Sequence, residues 1–89
     1  MEIEYDIKKS NKNSKERGLS FELVKHFEID TALIAEDSRF EYDEHRFNAL
    51  WFIGSGLYNL AFTMRGDVIR VISLRRADNS EKKRYALNN

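Results

Sequence analysis

The chain has 89 residues, with 15 Lys+Arg against 15 Asp+Glu and no cysteine or proline. That length supports one domain (1–89) with a modest core, and the missing thiols exclude a disulfide framework, a thiolate metal site and a cysteine nucleophile. Formal neutrality hides a split: residues 1–45 carry twelve acids against seven bases, and residues 46–89 carry eight bases against three acids.

A basic half suggests a polyanion partner, although a free nucleic-acid binder usually carries an overall basic excess. The opening MEIEYDIKKS lacks the basic-then-apolar layout of a signal peptide, and no apolar run approaches a membrane span. A cytoplasmic protein without a membrane partner is expected.

In chain order, EIEY (2–5) alternates as a short strand. Asp6 is placed to cap a helix over 7–17 that Gly18 ends. That helix is almost entirely polar, with Lys8, Lys12 and Lys15 along one solvated side, so it must lean on its neighbours or on a ligand. Ser20 opens a second helix, FELVKHF, whose Phe21, Val24 and Phe27 recur every three residues. TALIA (31–35) reads as a strand and the acidic EDSRFEYDEH (36–45) as a connecting loop. Next come RFNALWFIG (46–54), LYNLAFTM (57–64) and DVIRVISL (67–74). These are rich in β-branched and aromatic residues, and turns at Gly54-Ser55-Gly56 and Gly66-Asp67 divide them into an antiparallel meander. The Arg-Gly-Asp of residues 65–67 is therefore a hairpin turn rather than an adhesion motif. Asp78-x-x-Glu81 resembles a capping box opening the basic helix SEKKRYALNN. The order β-α-α-β-β-β-β-α predicts an α+β fold, with helices on one face of a mostly antiparallel sheet.

Four arginines surround the last strand: Arg65, Arg70, Arg75 and Arg76. Simple alternation puts Arg70 with Val68, Ile72 and Leu74 on one face, and Arg75 with Ile69, Val71 and Ser73 on the other. An arginine among apolar neighbours needs a partner. Arg70 is then an ion-pair partner of the acids at 36–44, a snorkelling side chain at a sheet edge, or part of a phosphate clamp. His26 sits beside the apolar stripe and reads as structural. His45, near Asp43 and Glu44, is by default a surface residue and otherwise a proton donor or acceptor. No metal-ligand spacing and no glycine-rich phosphate loop occurs, so no metal or cofactor is expected. Trp51 and the tyrosines read as core or edge residues, while Tyr85 on the basic helix is equally suited to stacking a base.

Laid out in this way, the chain resembles the BrnT family of type II toxins, which are similar in fold to RelE. The resemblance is strongest over DEHRFNALWFIGSGLYNLAFTMRGDVIRVISLRRADNSEKKRY (43–85). There the family shows an acid-Arg-Phe strand start, a Thr-x-Arg-Gly-Asp hairpin, an Ile-Arg-x-Ile-Ser-x-Arg strand and a basic helix ending in Tyr. Upstream, Asp6, Lys9, Asn13, Gly18, Ser20 and Phe21 stand where the family has the same residues. Tyr5 replaces its Trp, Glu16 its Lys and Arg17 its His.

The resemblance implies a metal-independent endoribonuclease toxin that inhibits growth. A BrnA-type antitoxin would neutralise it, RNA would be its substrate, and operator DNA would be reached only through the antitoxin. Cleavage would use the 2′-OH as nucleophile, with Arg46, Arg70 and Arg75 stabilising phosphate charge. Lys9, Arg17, Arg65, Arg76, Lys83 and Tyr85 would complete the RNA-binding set. Since position 17 is not histidine, either His45 or Glu44 would move the proton, or cleavage would rest on positioning and electrostatics. The alternative is a catalytically weak homologue that binds its antitoxin and co-represses the operon. In either case the antitoxin is expected to cover the arginine face or the sheet edge.

Overall fold

The structure, a computed structural model, describes residues 2–38 and 44–88; the centre of the expected acidic loop, 39–43, lies outside the described residues. The chain runs β1 (Ile3–Glu4), α1 (Ile7–Arg17), two 3-10 turns (Phe21–His26 and Ile29–Thr31), β2 (Leu33–Asp37), β3 (Arg46–Ile53), β4 (Gly56–Arg65), β5 (Val68–Arg76) and α2 (Asn79–Leu87). The strands form one sheet in the order β1-β5-β4-β3-β2. All pairings are antiparallel except β1 with β5.

Helix α1 forms where its caps place it. The Asp6 carboxylate accepts from the backbone of Lys8 at 2.8 Å and of Lys9 at 3.3 Å. Those bonds hold its pKa below the usual carboxylate range, as expected of an N-cap. Gly18, at φ 71°, closes the other end with its N–H donating to Ser14 O. Lacking an apolar stripe, the helix attaches by hydrogen bonds. Asn13 Nδ2 donates to Leu19 O and Leu74 O at 2.8 and 2.9 Å, and Ser10 Oγ accepts from Phe21 N at 3.0 Å. The expected reliance on neighbours is thus met by two buried polar side chains.

The second helix departs from expectation. Phe21–His26 is a 3-10 helix, and its geometry explains the spacing that suggested a helix. At about three residues per turn, side chains three apart align, so Phe21 and Val24 enter the core together and Phe27 follows at the cap. The second strand also shifts, because the turn at Ile29–Thr31 delays β2 to Leu33–Asp37.

The apolar core lies on one face of the sheet, where Phe21, Val24 and Phe27 meet Ala49, Leu60, Phe62, Ile69, Val71 and Leu74. Burying one such side chain is worth about 1.5–3 kcal/mol. Strict alternation along β5 fails at one residue. Ser73 pairs with Ala61 and Val71 with Phe62, leaving Ile72 as an unmatched residue in a β-bulge. The extra residue reverses the parity of the strand. Ile69, Val71 and Leu74 therefore share the core face, and Arg70 and Arg75, expected on opposite faces, come to the same one.

The terminal helix also differs from the one-face expectation. The capping box at Asp78 and Glu81 is present, but α2 packs on the sheet face opposite the core, where Glu81 meets Asn59 and Arg75. Among the described residues, no other helix packs on that face, which is open beyond α2.

Candidate functional site

The open face carries a row of polar residues across all five strands. Asp37 on β2 is registered with Arg46 on β3, and Thr63 on β4 with Arg70 on β5, which in turn faces Glu4 on β1. Arg65, two residues beyond Thr63, extends the row. The Arg46 and Arg70 side chains are 34% and 29% exposed, and the Nε of Arg46 is buried.

Three ion pairs in this row are long. Arg70 Nη1 stands 3.7 Å from Glu4 Oε1, and Arg65 Nε stands 3.8 Å from the same oxygen. Arg46 Nε is 3.7 Å from Glu44 Oε1. The partner expected for Arg70 among the acids at 36–44 is instead Glu4, brought in by the parallel pairing of β1. Beneath the row, Thr63 Oγ1 donates to His45 O at 2.6 Å, fixing the start of β3 against β4.

Arg75 is on the same face but in a different state. Its Nη1 and Nη2 donate to Glu81 Oε1 and Oε2 at 2.7 and 2.9 Å, a two-pronged pair. Asn59 Nδ2 also donates to Oε2, and the Asp78 N–H to Oε1 at 2.9 Å. Burial pushes the Glu81 carboxyl up, but Arg75, the Asp78 backbone and Asn59 outweigh it and hold the pKa below its ordinary value. The sequence identified Glu81 as a cap; its second role needs the sheet beneath it.

Between this network and the row lies a groove of about 230 Å³, lined by Asp37, Asn48, Asn59, Arg75, Glu81 and Arg84 among others. Asn48, Asn59 and Arg84 are absent from the sequence-based site. Only the face-sharing of Arg46, Asn48 and Leu50 along β3 pointed to Asn48, and nothing local marked the other two.

Other expected site residues lie apart from the row. His45 turns to the core-side edge of the sheet, where its Nδ1 stands 2.6 Å from Glu36 Oε1 and its side chain is 82% exposed. Glu44 stays beside Arg46. Arg76 lies over the Tyr58 ring, 5.4 Å from its centroid, on the core side. Lys9 and Arg17 are on α1, which packs beside β5 and the first 3-10 turn. Lys83 is exposed on α2. Tyr85 packs edge-on against Phe52 at 5.4 Å and near Trp51 at 5.9 Å. Among the described residues, no helix is long and apolar enough to cross a membrane.

Comparison with known proteins adds to this geometry. A family model described as "Ribonuclease toxin, BrnT, of type II toxin-antitoxin system" matches residues 5–81. The crystal structure of the Brucella abortus ribonuclease toxin BrnT superposes with a TM-score of 0.71 at 27% identity, covering 89% of this chain and 99% of that one. No curated protein sequence matches the chain.

Proposed function

The chain belongs to the BrnT family of ribonuclease toxins of type II toxin–antitoxin systems, and from that premise we propose that it cleaves RNA on the open sheet face. The observation that carries this reading is the cross-sheet row, in which Arg46 and Arg70 project from rigid strands on one face and Arg70 is held by a single long ion pair, to Glu4. A guanidinium in the state of Arg70 is available to a phosphate, whose geometry it matches better than a lysine would.

In this reading the scissile phosphate sits across Arg46 and Arg70, with Arg65 steering the flanking backbone. The adjacent 2′-OH attacks phosphorus in line, the 5′-oxygen departs, and the two guanidiniums stabilise the extra charge on the phosphorane without a metal ion. Glu44, beside Arg46, accepts the 2′-OH proton. His45 is less suited, since its imidazole is turned to the other side of the sheet and engaged with Glu36. Arg75 shapes the floor of the site.

Expressed in the cytoplasm, such an activity inhibits translation and growth. A BrnA-type antitoxin covering this face neutralises it, and the operator is contacted through that antitoxin. The test is induction of the chain alone in a bacterial host. Growth arrest with loss of bulk RNA is expected for the wild type, and Arg70→Ala is expected to relieve both. Normal growth with confirmed folded expression overturns the reading. One observation favours a second reading, a weakly catalytic toxin serving mainly as antitoxin partner: Glu81 occupies both prongs of Arg75. That version predicts tight antitoxin binding with no cleavage.

A further inference from the structure

We infer that the groove between α2 and the sheet is a base-reading subsite, taking one nucleobase of the RNA whose phosphate lies on the arginine row. The inference rests on the RNA-cleaving reading and deepens it by assigning substrate selection to Asn48 and Arg84.

Most polar groups in the groove are already engaged. Glu81 accepts from Arg75, Asn59 and the Asp78 backbone, so three lining residues satisfy one another. Asp37 stands opposite Arg46 in the ladder and has its own interaction. Two side chains differ. Among the described residues, neither the amide of half-buried Asn48 nor the guanidinium of Arg84 makes a hydrogen bond or ion pair. Both line the same groove. A half-buried amide without a partner loses hydrogen bonds that a ligand can restore.

The chemistry of the lining selects the ligand class. The groove is lined by the acids Glu36, Asp37 and Glu81 as well as by Arg75 and Arg84, so it offers a dianionic phosphate little net attraction. A neutral heterocycle with donors and acceptors on one edge suits it better. An asparagine amide presents one donor and one acceptor and pairs with such an edge in two-point fashion. The planar guanidinium of Arg84 provides a surface on which a base can stack. At about 230 Å³ the groove is smaller than the roughly 300–1,000 Å³ of drug-sized pockets, which fits a single base. Its position fits as well. Asn48 is two residues from Arg46 on the same face of β3, about 7 Å along the strand, so the base and the phosphate would belong to neighbouring parts of one strand.

The test measures binding of 2′-O-methyl hexanucleotides of A, C, G or U, which lack the nucleophile and stay intact. Fluorescence anisotropy is followed on the wild type and on Asn48→Ala, Asn48→Asp and Arg84→Ala. The wild type is expected to favour one base. Asn48→Ala should reduce that preference by about tenfold. Asn48→Asp, which keeps the shape and removes the amide donors, should shift the preference to another base. Arg84→Ala should weaken all four by roughly fivefold or more. Equal wild-type affinities for the four sequences overturn the subsite, as does a preference that survives Asn48→Asp in a variant with unchanged circular dichroism. Base-selective binding that depends on Asn48, in a protein that cleaves no RNA, supports the subsite while sinking the nuclease reading.

Discussion

Arg70 and Arg75 stand on the same strand and face, five residues apart, yet they do opposite things. Arg75 spends its two-pronged donor on a carboxylate whose side chain is 9% exposed, inside a network that ties β4, β5 and α2 together. Arg70 faces one carboxylate at 3.7 Å, beyond hydrogen-bond distance. A guanidinium locked into a satisfied buried network contributes to the fold. One held loosely on a rigid strand keeps its donors for something else. On the proposed reading, proximity on a sheet does not make these two arginines one clamp.

The contrast is broken most sharply by exchanging the readouts. Arg70→Ala is expected to reduce RNA cleavage about 100–1,000-fold, the range for losing a donor to a developing oxyanion, with an unchanged melting temperature. Equal loss of stability in Arg70→Ala and Arg75→Ala would abolish the distinction. Glu81→Ala comes next. It leaves Arg75 and Asn59 facing an empty site and is expected to cost about 2–4 kcal/mol in urea titrations. Glu4→Ala, on the exposed pair, should stay below about 1 kcal/mol.

A pH titration sharpens the same point. The folded Glu81 carboxyl lies below its unfolded value, near ~4.3, so its contribution is complete above that value and lost as pH falls through the lower folded pKa. Acid unfolding of Glu81→Gln should accordingly show a shallower loss of stability below about pH 4.3 than the wild type. The smallest effect is expected at Arg76, exposed over Tyr58. Arg76→Ala should change stability by about 0.5–1 kcal/mol and leave cleavage unchanged, and a loss of activity there would enlarge the site to the core side.

What the sequence revealed follows the range of the physics involved. Asp6, Gly18, Asp78 with Glu81, and the two hairpin turns act within a few residues of themselves, and each element they bound appears where expected. Ile72 is different. Whether it pairs depends on the register against Ala61 and Phe62, which local alternation cannot report. The misplacement of Arg70 among apolar neighbours follows from that one residue. A clue was present, since Ile69, Val71 and Leu74 keep a single apolar face only if the parity changes between them. The joining of Asn59, Arg75 and Glu81 required α2 to cross to the open face. The pairing of Arg70 with Glu4 required a two-residue parallel strand, the least conspicuous element of the chain.

The attachment of α1 has a thermal consequence. Its contact surface is anchored by the Asn13 amide and the Ser10 hydroxyl, with Ile7 62% exposed, so docking the helix removes little apolar area from water. Its release should therefore carry a small heat-capacity change and a weak denaturant dependence. Amide protons of residues 7–17 are expected to exchange through a low-energy opening of their own, before the sheet yields, with protection nearly insensitive to low concentrations of urea. In this protein a helix is latched to the sheet largely by hydrogen bonds, and it is expected to lift off while the rest stays folded.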